Sequence, residues 1–289
     1  MKAIFPRRAA ALALLCAPLA ASAQTLADSV RLEALRKDVY FLADDRLEGR
    51  GTGSRGIRMA ADYLAHRLKQ LGFKPLGPRG SFFHEFSFAA EVRPGAGPNQ
   101  LRWQAASQAA DSSAAGEFAP LGFSESGQAE GEVVFAGYGI QEPGGYDSYA
   151  GLDVKGKLVL VLRYAPEGLA PPRRAALNRY ADLRTKAAVA RRLGAAGLLV
   201  VQGPASGGVA GALVPLSFER GGSAGLLAGS LNLRAADALL APTGRTLAQH
   251  QAALDAAPQP LPGAGLAGLR ARLAVSLETV RQADRNVVA

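Results

Sequence analysis

The chain has 289 residues, 48% of them hydrophobic, with 33 lysines and arginines against 24 acidic residues. That length is ample for one or two buried cores. A single cysteine excludes a disulfide framework and a thiolate metal cage. The formal charge of +9 is scattered among acidic residues and only one tryptophan is present, so nucleic acid is excluded as a partner class.

Residues 1–23 read as a secretory signal. Lys2, Arg7 and Arg8 precede a short apolar core, and Ala21-Ser22-Ala23 supplies the small-x-small cleavage pattern. Export to the periplasm or medium is expected, with Cys16 lost at cleavage. The core is too short to span a bilayer, and no later stretch approaches the roughly 20 apolar residues a span needs. No membrane association is expected after cleavage.

Apolar residues Val30, Leu32, Leu35, Val39 and Leu42 recur at helical spacing, which predicts a helix over 28–43 capped by Asp28 or Ser29. A Gly-rich break over 44–56 follows, then a second amphipathic helix over 57–71 closed by Gly72. Phe82 to Phe88 alternates as a strand does. Between 93 and 127 the composition shifts to Gly, Ala, Ser, Pro and Gln, with a short strand at 101–103. Strands are expected at 131–138, 157–164, 197–202, 214–218 and 230–233, with a helix over 181–193 and helical turns at 235–240 and 247–253. Pro258, Pro260 and Pro262 mark a further linker. A single strand is expected over 266–280, and Asn286 to Ala289 reads as the start of another. The strand–helix–strand order implies helices packed on a sheet.

Several patterns suggest chemistry. Gly51-Thr52-Gly53-Ser54-Arg55-Gly56 fits the dinucleotide pattern G-x-G-x-x-G, but a helix rather than a strand precedes it. A helix connection capped by Ser54 is the better account. Gly221-Gly222-Ser223-Ala224-Gly225 fits G-x-S-x-G, with Asp237 and His250 following in hydrolase order. These partners lie too close in sequence for the separate strands that normally carry them, and no His-Gly-Gly oxyanion segment is present. His66 sits one turn after Asp62 and reads as a surface pair. His84-Glu85 lacks the second histidine of H-E-x-x-H, and His250 reads as exposed on its helix. Arg173-Arg174 and Arg191-Arg192 read as solvated faces. The residues by themselves offer no catalytic residue and no metal ligand set.

Two longer stretches carry a resemblance. LADDRLEGRGTGSRGIRMAADYLAHRLKQLGFKPLG, Leu42 to Gly77, resembles the opening of the bacterial zinc aminopeptidases of metallopeptidase family 28. VVFAGYGI and YDSYAGLDVKGKLVLVLR, within Gly131 to Arg163, resemble the protease-associated (PA) domain inserted in many of these enzymes, and AAVARRLGAAGLLVV continues its helix–strand unit. DRNVVA, Asp284 to Ala289, is similar to the family's return into its catalytic domain.

The resemblance implies an α/β (α+β) fold, with an incomplete N-terminal helical portion of a zinc-exopeptidase domain followed by a β-rich PA domain. Its expected boundaries are 1–23 signal, 24–95 N-terminal helices and strand, 96–127 crossing, 128–265 PA domain and 266–289 return strand. Two zinc ions are implied for the intact family, but its ligands and general base match no position here, so no cofactor is expected in this chain. In the glutamate-carboxypeptidase relatives a basic residue after the corresponding strand contacts substrate carboxylate; Arg163, directly after Leu162, falls near that place, and also reads as an ordinary exposed strand end. The expectation is the N-terminal and PA segment of an exported zinc aminopeptidase, inactive by itself, whose partner is a peptide substrate or the missing catalytic domain. The alternatives are a stand-alone exported PA module that binds peptide or protein, and a serine hydrolase using Ser223. Residues 26–90 are expected to leave an apolar face open.

Overall fold

The computed structural model describes residues 31–105, 108–111, 116–218, 221–257 and 259–289. The signal at 1–23, the cap candidates Asp28 and Ser29, and Pro258 lie outside the described residues. In chain order the elements are α1 (31–42), α2 (Arg55–Gln70), β1 (Phe83–Pro94), β2 (Gln100–Ala105), β3 (Gln108–Asp111), β4 (Phe118–Pro120), β5 (Gly127–Phe135), β6 (Leu158–Leu162), α3 (Pro171–Asn178), α4 (Leu183–Arg192), β7 (Gly197–Val201), β8 (Leu227–Leu231), α5 (Leu233–Leu240), α6 (Leu247–Ala256), β9 (Ala264–Val275) and β10 (Leu277–Val287). They form two compact units: one joins the chain up to Phe88 with Gln282–Ala289, and the other is the intervening Ala89–Arg281.

In the first unit Ser54 caps α2 by accepting from the Ile57 amide at 3.2 Å, as its position before the helix predicts. α1 is tied to α2 through Asp38, which accepts from Arg67 Nε at 2.9 Å and from the Tyr63 hydroxyl, while the Phe41 and Tyr63 rings stack at 4.0 Å. The core is thin. Leu47, Ala60, Ala61 and Ala65 are buried, whereas Leu35, Val39, Tyr40, Leu71, Phe73 and Leu76 stand exposed, Tyr40 at 75% and Leu76 at 74%. These exposed apolar side chains lie within the described part of the 26–90 span where an open apolar face is expected. Asp62 does not pair with His66; it accepts from Arg285 at 2.7 Å, and His66 instead meets Gln70 at 2.8 Å.

The second unit is a mixed α/β fold on an eight-stranded sheet ordered β3-β2-β9-β5-β6-β7-β8-β4. β5, β6, β7 and β8 run parallel, and the outer strands join antiparallel. β6 reads Leu-Val-Leu-Val-Leu with every residue buried, the continuous apolar run a parallel strand covered on both faces requires. Its leucines join Leu199, Val201, Leu239, Leu247 and Leu254 in one core, beneath α5 and α6. Val159 and Val161 face the other way and pack with Ala187, Val189 and Ala190 of α4.

Three strand expectations are corrected. Residues 214–218 form no strand; their backbone runs as irregular chain beside the sheet. The span 266–280 is two strands, because the chain breaks at Ser276, whose amide bonds Asn99 Oδ1 at 2.8 Å rather than continuing a ladder. Asn286 and Val287 do not begin a new strand; they end β10, which pairs with β1 in a two-stranded ribbon. Alternating patterns give the strand period but not which partner each strand takes, so both breaks escaped sequence reasoning.

Candidate functional site

The carboxyl ends of parallel strands are where open α/β sheets place ligand sites. Here Arg163 follows the last residue of β6, and Gln202 follows the last residue of β7. The Arg163 amide continues the ladder, donating to the Val201 carbonyl at 2.8 Å. Its guanidinium Nη1 donates to Gln202 Oε1 at 3.1 Å, and its Cζ lies 4.8 Å from the centre of the Tyr164 ring. Gln202 is itself 4% exposed and anchored by an Nε2 bond to the Gly207 carbonyl at 2.8 Å. The guanidinium is therefore preorganised between an amide and a ring, with donors to spare.

Arg163 lines an open cavity of about 710 Å³ together with Tyr164, Arg174, Asn178, Asp182 and Ser217. Arg174 is engaged in an ion pair with Glu167. Asp182 caps α4, its Oδ1 accepting from the Arg184 amide at 2.9 Å and the Thr185 amide at 3.2 Å. The cavity thus offers one rigidly held arginine beside polar groups, a geometry suited to a carboxylate.

Under this edge lies a residue that sequence reasoning missed. Lys186 is fully buried, and its ammonium donates to the Leu162 carbonyl at 2.7 Å and the Tyr164 carbonyl at 2.6 Å. Burial pulls it from the usual lysine range down to about 7, Asp182 opposing the shift and Arg163 adding to it. A signal was available: Lys186 lies three and four residues before Val189 and Ala190, on the helix face that packs into the core.

The other sequence candidates are not assembled into a site. The Ser223 hydroxyl donates to Glu125 Oε1 at 2.5 Å, Asp237 Oδ1 accepts from the Leu247 amide at 2.7 Å, and His250 Nε2 meets Thr243 Oγ1 at 2.9 Å. Each member of the Ser–Asp–His set has a partner outside it, so the hydrolase reading loses its geometry. His250 is half-buried rather than exposed, tilted against Phe135 at 5.1 Å, and burial lowers its pKa. Arg173 forms a forked pair with Glu142, at 2.8 Å to Oε1 and 2.5 Å to Oε2, so it is not a free solvated charge. Among the described residues no group of three or more His, Cys, Asp or Glu side chains is placed to hold a metal ion. His66 and His250 are engaged by Gln70 and Thr243, and His84 is exposed on β1. These residues do not fit the two zinc ions that the family resemblance implies, and no chemical step is assigned to them.

In the first unit two distant motifs meet. Gly53, in the Gly-rich turn before α2, donates its amide to Asp284 Oδ2 at 2.7 Å. Asp284 is 6% exposed and lies in the stretch that resembles the family's return strand.

A PA domain lies in the second unit: residues 129–239 match the PA domain family model. No curated protein matches the chain. Among solved structures it is similar to an aminopeptidase from Aneurinibacillus sp. strain AM-1, at 16% identity and TM-score 0.40, covering 81% of this chain and 42% of that one. It is also similar to a zinc aminopeptidase from Bacillus subtilis, at 14% identity and TM-score 0.34, over 86% of this chain and 45% of that one. A peptidase M28 precursor from Shewanella amazonensis SB2B gives 13% identity and TM-score 0.38, over 90% of this chain and 53% of that one. The chain therefore spans about half the length of these structures, or less.

Proposed function

We propose that this chain is the substrate-positioning part of an exported zinc-dependent aminopeptidase, in which the PA domain presents Arg163 to a carboxylate of the peptide substrate. The observation that carries the reading is a PA domain, matched over 129–239, lying within a span whose flanking segments are joined by Gly53 and Asp284. Those two residues sit in the motifs that resemble the aminopeptidase family on either side of its insertion. Export is supported by the signal pattern of residues 1–23; no helix among the described residues is long and apolar enough to cross a membrane. The described residues bring no metal donor set, so in this reading they supply substrate contacts and not the hydrolytic step.

The experiment has two arms. The purified chain is assayed on leucyl-p-nitroanilide with and without added zinc, with metal content measured in parallel. Peptides with free and amidated C-termini are then titrated against the protein and Arg163→Ala. Absent hydrolysis, with binding of the free acid that weakens about tenfold or more in R163A, supports the proposal; a lost charge-assisted bond is worth that much. Tightly bound stoichiometric zinc with chelator-sensitive cleavage refutes the positioning role, and equal binding of acid and amide refutes the carboxylate contact.

A further inference from the structure

Lys186 has no exposed surface, although an ammonium in a protein interior is costly unless its donors are used. Both carbonyls it bonds, Leu162 at 2.7 Å and Tyr164 at 2.6 Å, flank Arg163. Between them the backbone leaves the sheet. Arg163 is still held by the ladder through its amide, but Tyr164 turns into the left-handed region with φ 66°. That region disfavours a residue with a bulky side chain and persists only where the surroundings enforce it. The lysine supplies that enforcement from behind, reaching up from α4. The titratable and charged groups around it are Asp182 on its own helix and Arg163 and Tyr164 at the strand end.

We propose that Lys186 is a positioning residue for the carboxylate site: its Nζ, donating to both carbonyls, clamps the 162–164 backbone and so fixes the direction in which Arg163 leaves the sheet edge. This rests on the carboxylate reading of Arg163. Without the clamp, Tyr164 relaxes from its left-handed conformation, and the guanidinium loses its register with Gln202 and the Tyr164 ring.

The test is a double-mutant cycle on the full chain, with N-acetyl-L-alanine as probe and N-acetyl-L-alaninamide as control. Lys186→Met is expected to weaken acid binding about tenfold, because two buried carbonyls lose their donor. Tyr164→Gly alone costs about threefold through the lost ring. Adding K186M to Y164G costs less than about threefold more, because glycine takes the left-handed backbone without enforcement. The same loss in both backgrounds means that the lysine only packs, and overturns the proposal. Hydrogen exchange supplies a second readout: the Arg163 amide, which donates to the Val201 carbonyl, exchanges about tenfold faster in K186M. Unchanged exchange also overturns the clamp. If the wild-type chain takes up no probe, the carboxylate reading of Arg163 falls, and the exchange rates alone decide the clamp. Should K186M not fold, Lys186→Gln replaces it: its shorter stem does not carry a donor to both carbonyls, so a smaller loss in the wild-type background and none added to Y164G is expected, and equal losses in the two backgrounds overturn the proposal.

Discussion

The three glycines of the Gly51–Gly56 turn have unequal work to do, and Gly56→Ala is the sharpest test of it. A Cβ at Gly56 would lie 1.8 Å from the Leu47 carbonyl oxygen and 2.4 Å from its carbon, so backbone presses on backbone. Ordinary contact requires a separation of roughly 3.2 Å or more, so the first turn of α2 must move away from Leu47 by more than an ångström. Leu47 is 2% exposed, one of the few large side chains buried in this unit. Overpacking of this kind costs about 1–3 kcal/mol, and partial exposure of a leucine adds about 1–2 kcal/mol. Alanine's better helix propensity returns at most about 1 kcal/mol. The net expectation is a destabilisation of about 1–4 kcal/mol. Gly51→Ala is the internal control, since its φ is −58° and nothing lies within 4 Å of the new Cβ. It should change stability by less than about 0.5 kcal/mol. Hydrogen exchange read by mass spectrometry on peptides covering residues 45–70 measures the opening free energy of this region directly. G56A should accelerate exchange there about fivefold or more, and G51A should leave it unchanged. Equal exchange in the two variants would refute the packing account of the motif.

Three further outcomes are expected. Lys186 titrates near 7 in the folded chain against 10.5 for an ordinary lysine, so between those values the unfolded chain holds more protons and stability rises with pH. Chemical denaturation should find the wild type gaining about 1–2 kcal/mol relative to K186M between about pH 7 and pH 8.5; a constant difference across that window would contradict the lowered pKa of the buried lysine. Asp284→Ala removes the acceptor at 2.7 Å from the Gly53 amide and should destabilise the chain by about 2–3 kcal/mol in a thermal or urea melt, with exchange at Gly53 accelerated. Ser223→Ala removes a hydroxyl that donates to an exposed Glu125 and accepts from the Gly225 amide, and should leave any esterase background on p-nitrophenyl acetate untouched; a loss of such activity would restore the hydrolase reading.

Much of the second unit was legible because burial is written into composition. The runs Leu158 to Leu162 and Gly197 to Val201 admit few readings other than covered strands, and the helix between them shows its period and its Gly194 stop. Ser54 announced itself as a cap for the same local reason. α3 was missed because its two leading prolines and paired arginines carry no apolar period to detect. The segment 214–218 misled in the opposite sense, since its alternation is that of a strand while its backbone amides find no ladder.

The sequence by itself settled the buried strands over 158–162 and 197–201 with the helix that precedes the second, the character of the turn before α2 and the presence of Arg163 after a buried strand. These depend on neighbours a few residues apart, and local sterics and periodicity report them. Tertiary structure alone decided that Asp284 closes on Gly53, that Ser223, Asp237 and His250 have other partners, and that Lys186 lies beneath Arg163. The Asp284–Gly53, Ser223–Glu125 and Lys186–Leu162 contacts join residues separated by a crossover or by most of the chain, and closure over such distances leaves no mark in local pattern, whereas Asp237 and His250 take partners ten and seven residues away that periodicity does not single out.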